Sequence, residues 1–409
     1  MAERRILVVG DVSPLETHGG AARVIREQSR RLAARGHDVT VFCRHPGGAG
    51  VPLRGDVSGV PVLHYEVSRA HPLAFAVTSL TGARRRFAGV FAGRDWDTVV
   101  FHQPLSAVAV ASLAPAAARR VYVFHSPAGE EYRVRAERFG GGHPPVGTGL
   151  VAALLARLER RALRGCRDVV VLSEFSRGVL ARAHGRLGRP VTTVPGGVDV
   201  ERFHPPDDRA RVRAALGFPA DATVLFTVRD LQPRMGLDTL LRALETVRPG
   251  RRLLCMIGGS GPLRPALERL AGELGLGALV RFAGHIPEDA LPLHYQAADL
   301  FVLPTRALEG FGLVTVEALA CATPVVATPV GATPEILAPL DPRLLAAESS
   351  AAGLGAALTQ ALPLAADEGF RRRCRAYAVA RYAWDRHLDA FEALVAGVEP
   401  AAARDGARS

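Results

Sequence analysis

The chain has 409 residues, enough for two domains, and carries a formal net charge of +11. It contains no lysine, so all 51 basic residues are arginine, which excludes a Schiff-base lysine, a pyridoxal-phosphate lysine and a P-loop lysine. No apolar run reaches the roughly 18 residues that a membrane span needs. The basic excess suits an anionic partner, whether nucleotide phosphates, an acidic acceptor or a membrane surface, or else reflects solvated helix arginines. A nucleic-acid partner is not expected, because the basic stretches lack interleaved aromatics. The five cysteines, Cys43, Cys166, Cys255, Cys321 and Cys374, are scattered without a Cys-x-x-Cys pair and read as reduced thiols, not as a disulfide frame or a zinc site. The opening Met-Ala-Glu-Arg-Arg runs directly into a strand, leaving no room for a signal peptide. A cytoplasmic protein is therefore expected.

In chain order, Arg5 to Gly10 predicts a buried strand, and Gly20 to Arg35 predicts a helix with Ala21, Val24, Ile25, Leu32 and Ala33 at helical spacing. Strands follow at Val39 to Cys43, Val60 to Tyr65, Thr98 to Phe101, Val121 to Phe124, Val169 to Leu172 and Val191 to Thr193, with helices between them, notably Leu150 to Leu163. The segment Glu-Arg-Phe-His-Pro-Pro-Asp-Asp near Val200 to Asp208 reads as a linker. Beyond it, strands are predicted at Thr223 to Thr227, Arg252 to Ile257, Val280 to Ala283, Leu300 to Leu303 and Pro324 to Ala327, and helices include Leu237 to Val247 and Leu263 to Leu274. Strands alternating with helices imply an α/β fold of two doubly wound parallel-sheet domains. The predicted division is 1–203, 204–375, a helical segment 376–398 and a disordered tail 399–409. Two such domains would face a cleft, a usual place for a ligand.

The segment Glu309-Gly-Phe-Gly-Leu-Val-Thr-Val-Glu317 carries the most chemistry. A strand and Pro304 precede it, and a helix end and a strand follow it. Glu309 therefore lies on a loop at the carboxyl end of a strand, where open parallel sheets bind ligands. Free N–H groups near Gly312, Leu313 and Val314 can receive a phosphate. Glu317, about one turn deeper, can accept from ribose hydroxyls, and Glu309 can reach a sugar or a diphosphate. The plainer alternative is a loop glutamate and a surface helix glutamate.

This pattern resembles glycosyltransferase family 4, the retaining nucleotide-sugar transferases of GT-B fold, from Ile6 to about Tyr382. The resemblance implies that the last helix crosses back to the first domain. It makes Gly310, Phe311, Gly312, Leu313, Val314 and Glu317 donor-binding residues. The loop His18-Gly19-Gly20 would place Gly19 and Gly20 near the donor diphosphate. His125, at the end of the strand Val121 to Phe124, would sit beside the transferred sugar, with Glu130 and Glu131 as acceptor contacts. His102, a second strand-end histidine, is a further candidate for the acceptor. Gly258 and Gly259 form a donor-side loop, and His285 with Ile286 would hold the base. Val330-Gly331-Ala332 closes the set, with Ala332 where the family usually has glycine.

One stretch departs from the family. In Thr227-Val-Arg-Asp-Leu-Gln-Pro-Arg-Met-Gly-Leu-Asp238, Asp230 and Met235 stand where the family has an arginine and a lysine that neutralise the leaving diphosphate. Arg229 and Arg234 lie one residue away and are the replacement candidates. The resemblance implies transfer of a sugar from a nucleoside diphosphate sugar to a hydroxyl acceptor, with no metal and no cofactor beyond the donor. The rivals are a catalytically impaired nucleotide-sugar-binding protein that needs a partner subunit and a GT-B epimerase. The missing lysine excludes a GT-B phosphorylase. His71 to Phe87 combines apolar bulk with Arg84, Arg85 and Arg86; it reads either as a packed helix or as a peripheral contact with the inner face of the plasma membrane.

Overall fold

The structure is a computed structural model and describes residues 2–16, 19–47, 51–70, 72–136, 145, 147–247, 250 and 252–397. His18 and the expected tail 399–409 lie outside the described residues. The chain divides into two compact units, one made of Met1–Arg133, Val146–Pro195 and Asp385–Ser409, the other of Val134–Pro145 and Gly196–Trp384. The passage from one unit to the other thus falls at Pro195–Gly196, a few residues ahead of the predicted boundary.

Among the described residues the first unit is built on eight strands: β1 (Arg5–Gly10), β2 (Asp38–Arg44), β3 (Arg54–Val57), β4 (Val60–Tyr65), β5 (Thr98–Phe101), β6 (Arg119–Phe124), β7 (Asp168–Val171) and β8 (Val191–Thr193). Their order in the sheet is β3-β4-β2-β1-β5-β6-β7-β8. All pairs are parallel except β3 with β4. β3 was not expected: Arg-Gly-Asp-Val is short, polar and half exposed, so no alternation marks it, and only edge pairing to β4 makes it a strand. The inner strands are apolar runs buried on both faces; Ile6, Leu7, Val8 and Val9 are at most 1% exposed. Phe42, Tyr65, Phe87, Phe91 and Trp96 form an aromatic cluster behind one face.

The second unit holds β9 (Thr223–Val228), β10 (Leu253–Gly258), β11 (Val280–Gly284), β12 (Leu300–Leu303) and β13 (Val325–Ala327), all parallel, in the order β11-β10-β9-β12-β13. The chain order reverses around β9: β10 lies on one side and β12 on the other. Such a switch point opens a crevice at the carboxyl ends of the two strands. In the first sheet the reversal falls between β1 and β5.

The last helices among the described residues are Glu368–Tyr382 and Trp384–Ala396. Trp384 ends the second unit and Asp385 begins the return to the first, which bears out the expected crossing. There Glu392 takes Arg35 at 2.7 Å and His37 at 3.1 Å. The Val395 carbonyl accepts from Thr98 Oγ1 at 2.8 Å.

Candidate active site

Arg229 follows β9 directly, and Thr305 and Glu309 follow β12, so the three flank the switch point of the second sheet. Arg229 Nη2 donates to Glu309 Oε2 at 2.6 Å and to Thr305 Oγ1 at 3.1 Å. Thr305 Oγ1 donates to the same carboxylate oxygen at 3.2 Å. The pair is nearly closed off, with side chains 7% and 10% exposed. Removing one partner of such a pair strands a buried charge, which is why it holds its loops together.

The pair is only half satisfied by protein. Glu309 Oε1 has no hydrogen-bond partner among the described residues and lies toward Gly312. Arg229 Nε is buried without a partner, and Nη1 makes no hydrogen bond among the described residues. Nη2 also lies 3.0 Å from the sulfur of Met235. Met235 is 5% exposed, so the guanidinium rests on the tip of the side chain that stands in the family's lysine position. Arg234 also reaches the loop, with Nη1 donating to the Leu308 carbonyl at 3.3 Å. Asp230 is part-exposed, and among the described residues no side-chain hydrogen bond or ion pair ties it into this cluster.

Four loops meet here, and glycine makes the meeting possible. At Gly331 a Cβ would overlap the Glu309 carbonyl oxygen, and φ is +67°; the Ala332 N–H then donates to that carbonyl at 2.9 Å. Gly259 brings its backbone onto the Arg229 carbonyl in the same way, while the Arg229 N–H donates to the Gly258 carbonyl at 3.0 Å. Leu308, just before Glu309, has φ +57°, a left-handed conformation that costs a bulky residue energy and here aims the next carboxylate. Gly312 is the N-cap of helix Leu313–Ala320, so free N–H groups stand beside the Glu309 carboxylate.

The other donor-side residues divide. Phe311 is 5% exposed, its ring packed on Gly196 and 5.7 Å from Tyr382, where it anchors the turn. Glu317 is 2% exposed and Oε2 accepts from Tyr295 OH at 3.0 Å; it is a helix glutamate turned inward, not a surface one. Ile286 packs on Gly258, and His285 beside it is exposed. Thr305 and Tyr295 were missed from the sequence. A hydroxyl immediately after the strand-ending Pro304 was the available signal for Thr305; Tyr295 had none.

In the first unit, His102 and His125 follow β5 and β6, adjacent strands. His102 Nδ1 and His125 Nε2 are 3.0 Å apart, and the rings stack at 5.3 Å between centroids. Burial pushes His125 down to about 4, opposed by the Glu131 carboxylate. Burial, then His125 and His387, hold His102 well below its ordinary value. Glu131 Oε2 accepts from Ser126 Oγ at 2.6 Å, and Glu130 is exposed. Asp11, after β1, was also missed. Its carboxylate accepts from Ser106 N at 2.7 Å, Leu105 N at 3.1 Å and Tyr65 OH at 3.2 Å, capping the helix that follows His102. Gly19, with φ +94°, is the N-cap of helix Gly20–Ala34; Gly19 and Gly20 are both exposed.

In helix Pro72–Phe91, Ala83, Phe87 and Phe91 are buried in the core, and Arg84 and Arg85 are exposed. Among the described residues no helix is long and apolar enough to cross a membrane. All five cysteines are buried free thiols, and burial pushes each of them up.

Comparison with known proteins agrees with this fold. The family Glycosyltransferase Family 4 matches residues 18–202, and Glycosyl transferases group 1 matches residues 208–381. A D-inositol 3-phosphate glycosyltransferase of Kineococcus radiotolerans is 32% identical over 329 residues, covering 76% of this chain and 73% of the relative. A GDP-mannose-dependent alpha-(1-6)-phosphatidylinositol monomannoside mannosyltransferase of Mycolicibacterium smegmatis is 39% identical over 193 residues, covering 44% of this chain and 49% of the relative. Among solved structures, sucrose-phosphate synthase from Thermosynechococcus elongatus superposes with a TM-score of 0.82 at 23% identity over 96% of this chain and 99% of that one. Anabaena HepE in complex with UDP-glucose superposes with a TM-score of 0.73 at 20% identity over 96% of this chain and 100% of that one. The fold is that of the GT-B glycosyltransferases. This chain belongs to glycosyltransferase family 4, with a carboxyl-terminal half of the group 1 type, and is a glycosyltransferase.

Proposed function

We propose that the protein transfers a sugar from a nucleoside diphosphate sugar to a hydroxyl acceptor with retention of anomeric configuration. The observation that carries this reading is the Arg229–Glu309 pair beside the start of helix Leu313–Ala320, each partner holding one face in reserve. Arg229 Nε and Nη1, with the helix N–H groups, supply positive charge where a diphosphate would depart. Glu309 Oε1 accepts a hydroxyl of the donor sugar, and Glu317 serves the ribose. The departing phosphate takes the acceptor's proton, so no separate protein base is required. His125 contacts the transferred sugar. Positive charge at the leaving group comes from the protein, so the reading calls for no metal. The HepE complex supports a UDP-type donor, and the names of the curated relatives support an inositol-bearing acceptor.

The rival, an impaired protein awaiting a partner subunit, drew on Asp230 and Met235. The position of Arg229 on the Met235 sulfur favours a working site with a shifted cation. The test is thermal shift with UDP-, GDP- and ADP-sugars, followed by turnover of the stabilising donor with inositol 3-phosphate and free inositol. The anomeric configuration of the product is then read by NMR. Stabilisation without transfer to any acceptor would favour the rival; inversion at the anomeric carbon would overturn the retaining assignment. Sedimentation with anionic vesicles tests peripheral contact through Arg84 and Arg85; absence of salt-sensitive binding removes it.

A further inference from the structure

His102 was expected to touch the acceptor, but it is 2% exposed and one ring nitrogen is engaged by His125 at 3.0 Å. Its other nitrogen, Nε2, is buried without a partner among the described residues. His125 is half-buried, and its Nδ1 makes no hydrogen bond among the described residues. One proton must lie between the two facing nitrogens, because both rings are neutral near pH 7 and one must donate to the other.

We infer that His102 is a positioning residue that sets the tautomer of His125, so that His125 presents an N–H at Nδ1 to an oxygen of the transferred sugar or acceptor. If His125 Nε2 carried the proton, it would donate to His102 Nδ1. His102 would then carry its own proton on Nε2, an N–H buried with nothing to receive it. Orphaned buried donors are rarer than orphaned acceptors. In the other arrangement His102 Nδ1–H donates to His125 Nε2. The buried Nε2 then keeps only a lone pair, and the proton of His125 sits on Nδ1, facing outward. The surroundings hold this state. The backbone N–H of His102 donates to the Val9 carbonyl at 2.9 Å. Asp11 caps the next helix at Leu105 and Ser106. On the far side, the Ala128 N–H, at the start of the helix after His125, donates to the buried Glu159 Oε2 at 3.0 Å. The charged or titratable neighbours are Glu131 for His125 and His387 for His102. His387 Nδ1 donates to the Pro195 carbonyl at 2.7 Å, so Nε2 receives Gln28 at 2.9 Å; the same logic of one fixed tautomer runs through it.

The inference rests on the reading that His125 meets substrate, and its test separates the two. Nitrogen-15 spectra of the full-length resting protein at neutral pH, assigned with His102→Asn and His125→Gln, should show the proton on Nδ1 in both rings. A His125 ring protonated at Nε2 would overturn the inference whether or not the protein turns over any donor. In turnover, His102→Phe should lower kcat roughly ten- to a hundredfold and leave donor KM within about twofold. His102→Asn, whose amide can donate in place of Nδ1–H, should recover most of the loss. Equal loss in both variants, or none in His102→Phe, contradicts it. If His102→Phe melts early, the wild-type spectra still decide.

Discussion

The two candidate sites of this molecule are built on opposite electrostatic plans. In the second unit, at the switch point between β9 and β12, a guanidinium and a carboxylate share a buried contact with Thr305 and leave Arg229 Nη1 and Glu309 Oε1 without a hydrogen bond among the described residues. In the first unit, at the ends of β5 and β6, two imidazoles are held neutral by burial and pass a single hydrogen bond between them. The first plan suits a ligand that brings its own negative charge, since the positive charge is already in place and costs no reorganisation. The second suits a neutral, hydroxyl-rich ligand, which a charged histidine would bind no better and which a fixed N–H can orient. The difference teaches that position in an α/β fold fixes where a ligand sits, while the local pairing decides what kind of ligand it is.

The largest expected effect comes from breaking the charged plan. Arg229→Ala leaves Glu309 buried without its ion-pair partner and, on the proposed reading, removes the cation that serves the leaving group. Turnover should fall by about 10²–10³, the scale for loss of one main electrostatic stabiliser. Stability should also fall by about 3–5 kcal/mol. Arg234→Ala should do less, because its guanidinium meets the loop at the Leu308 carbonyl, 3.3 Å away, and not at the Glu309 carboxylate. Steady-state turnover and urea melts of both variants check this. Equal turnover in wild type and Arg229→Ala would end the shifted-cation reading.

A smaller effect is expected at Glu317. Glu317→Ala should weaken nucleotide binding roughly ten- to a hundredfold, the value of a charge-assisted hydrogen bond. Tyr295→Phe provides the control: it removes the 3.0 Å bond to Oε2 but keeps the carboxylate. Calorimetric titration of both distinguishes ribose contact from inward packing. Loss in Tyr295→Phe equal to that in Glu317→Ala would mean the glutamate acts through packing.

The neutral plan has its own signature. Burial holds His125 and His387 at about 4 and His102 well below its ordinary value. A histidine whose folded pKa is depressed contributes fully above its unfolded value of about 6.5 and loses that contribution as pH falls toward 4. In that window the unfolded chain takes up a proton that the folded chain refuses. Each such histidine adds a slope of about 1.4 kcal/mol per pH unit. Glu159, pushed up by burial, works in the opposite sense as pH rises. Urea midpoints at pH 5 and pH 7 should therefore differ, and His387→Gln should flatten the difference. An unchanged pH dependence in that variant would show that the imidazoles do not carry it.

The two plans also differed in how much of them could be seen in the sequence. Glu309, Gly312 and Glu317 sit at fixed offsets within one strand–loop–helix unit, and the glycines there mark close backbone approach, so that stretch of the candidate site was legible. Its key contact was not: Arg229 and Glu309 are 80 residues apart in the chain, and only the β9–β12 pairing brings them together. The same holds for His102 and His125, each readable as a strand-end histidine but not as a pair until β5 and β6 are adjacent. Asp11 was invisible because its role is to cap a helix that begins 93 residues later. Most strand ends were readable because buried parallel strands are short continuous apolar runs. β3 was not, because an edge strand does not need them.

The smallest effect is expected where the sequence departs most from its family. Asp230 is part-exposed and makes no side-chain hydrogen bond or ion pair among the described residues, and an ion pair at the surface is worth only about 0.2–1 kcal/mol. Asp230→Arg should therefore leave turnover within about fivefold of wild type. Adding Met235→Lys should not raise it further. The Met235 sulfur lies 3.0 Å from Arg229 Nη2, so a lysine there would set an ammonium against a guanidinium in a buried place and lower stability. Turnover and urea midpoints of Asp230→Arg and of the double variant read this directly. If the double variant instead gains turnover strongly, Arg229 does not serve the leaving group. The charged plan would then be a structural clamp around Glu309, and the working cation would be the one this chain has lost.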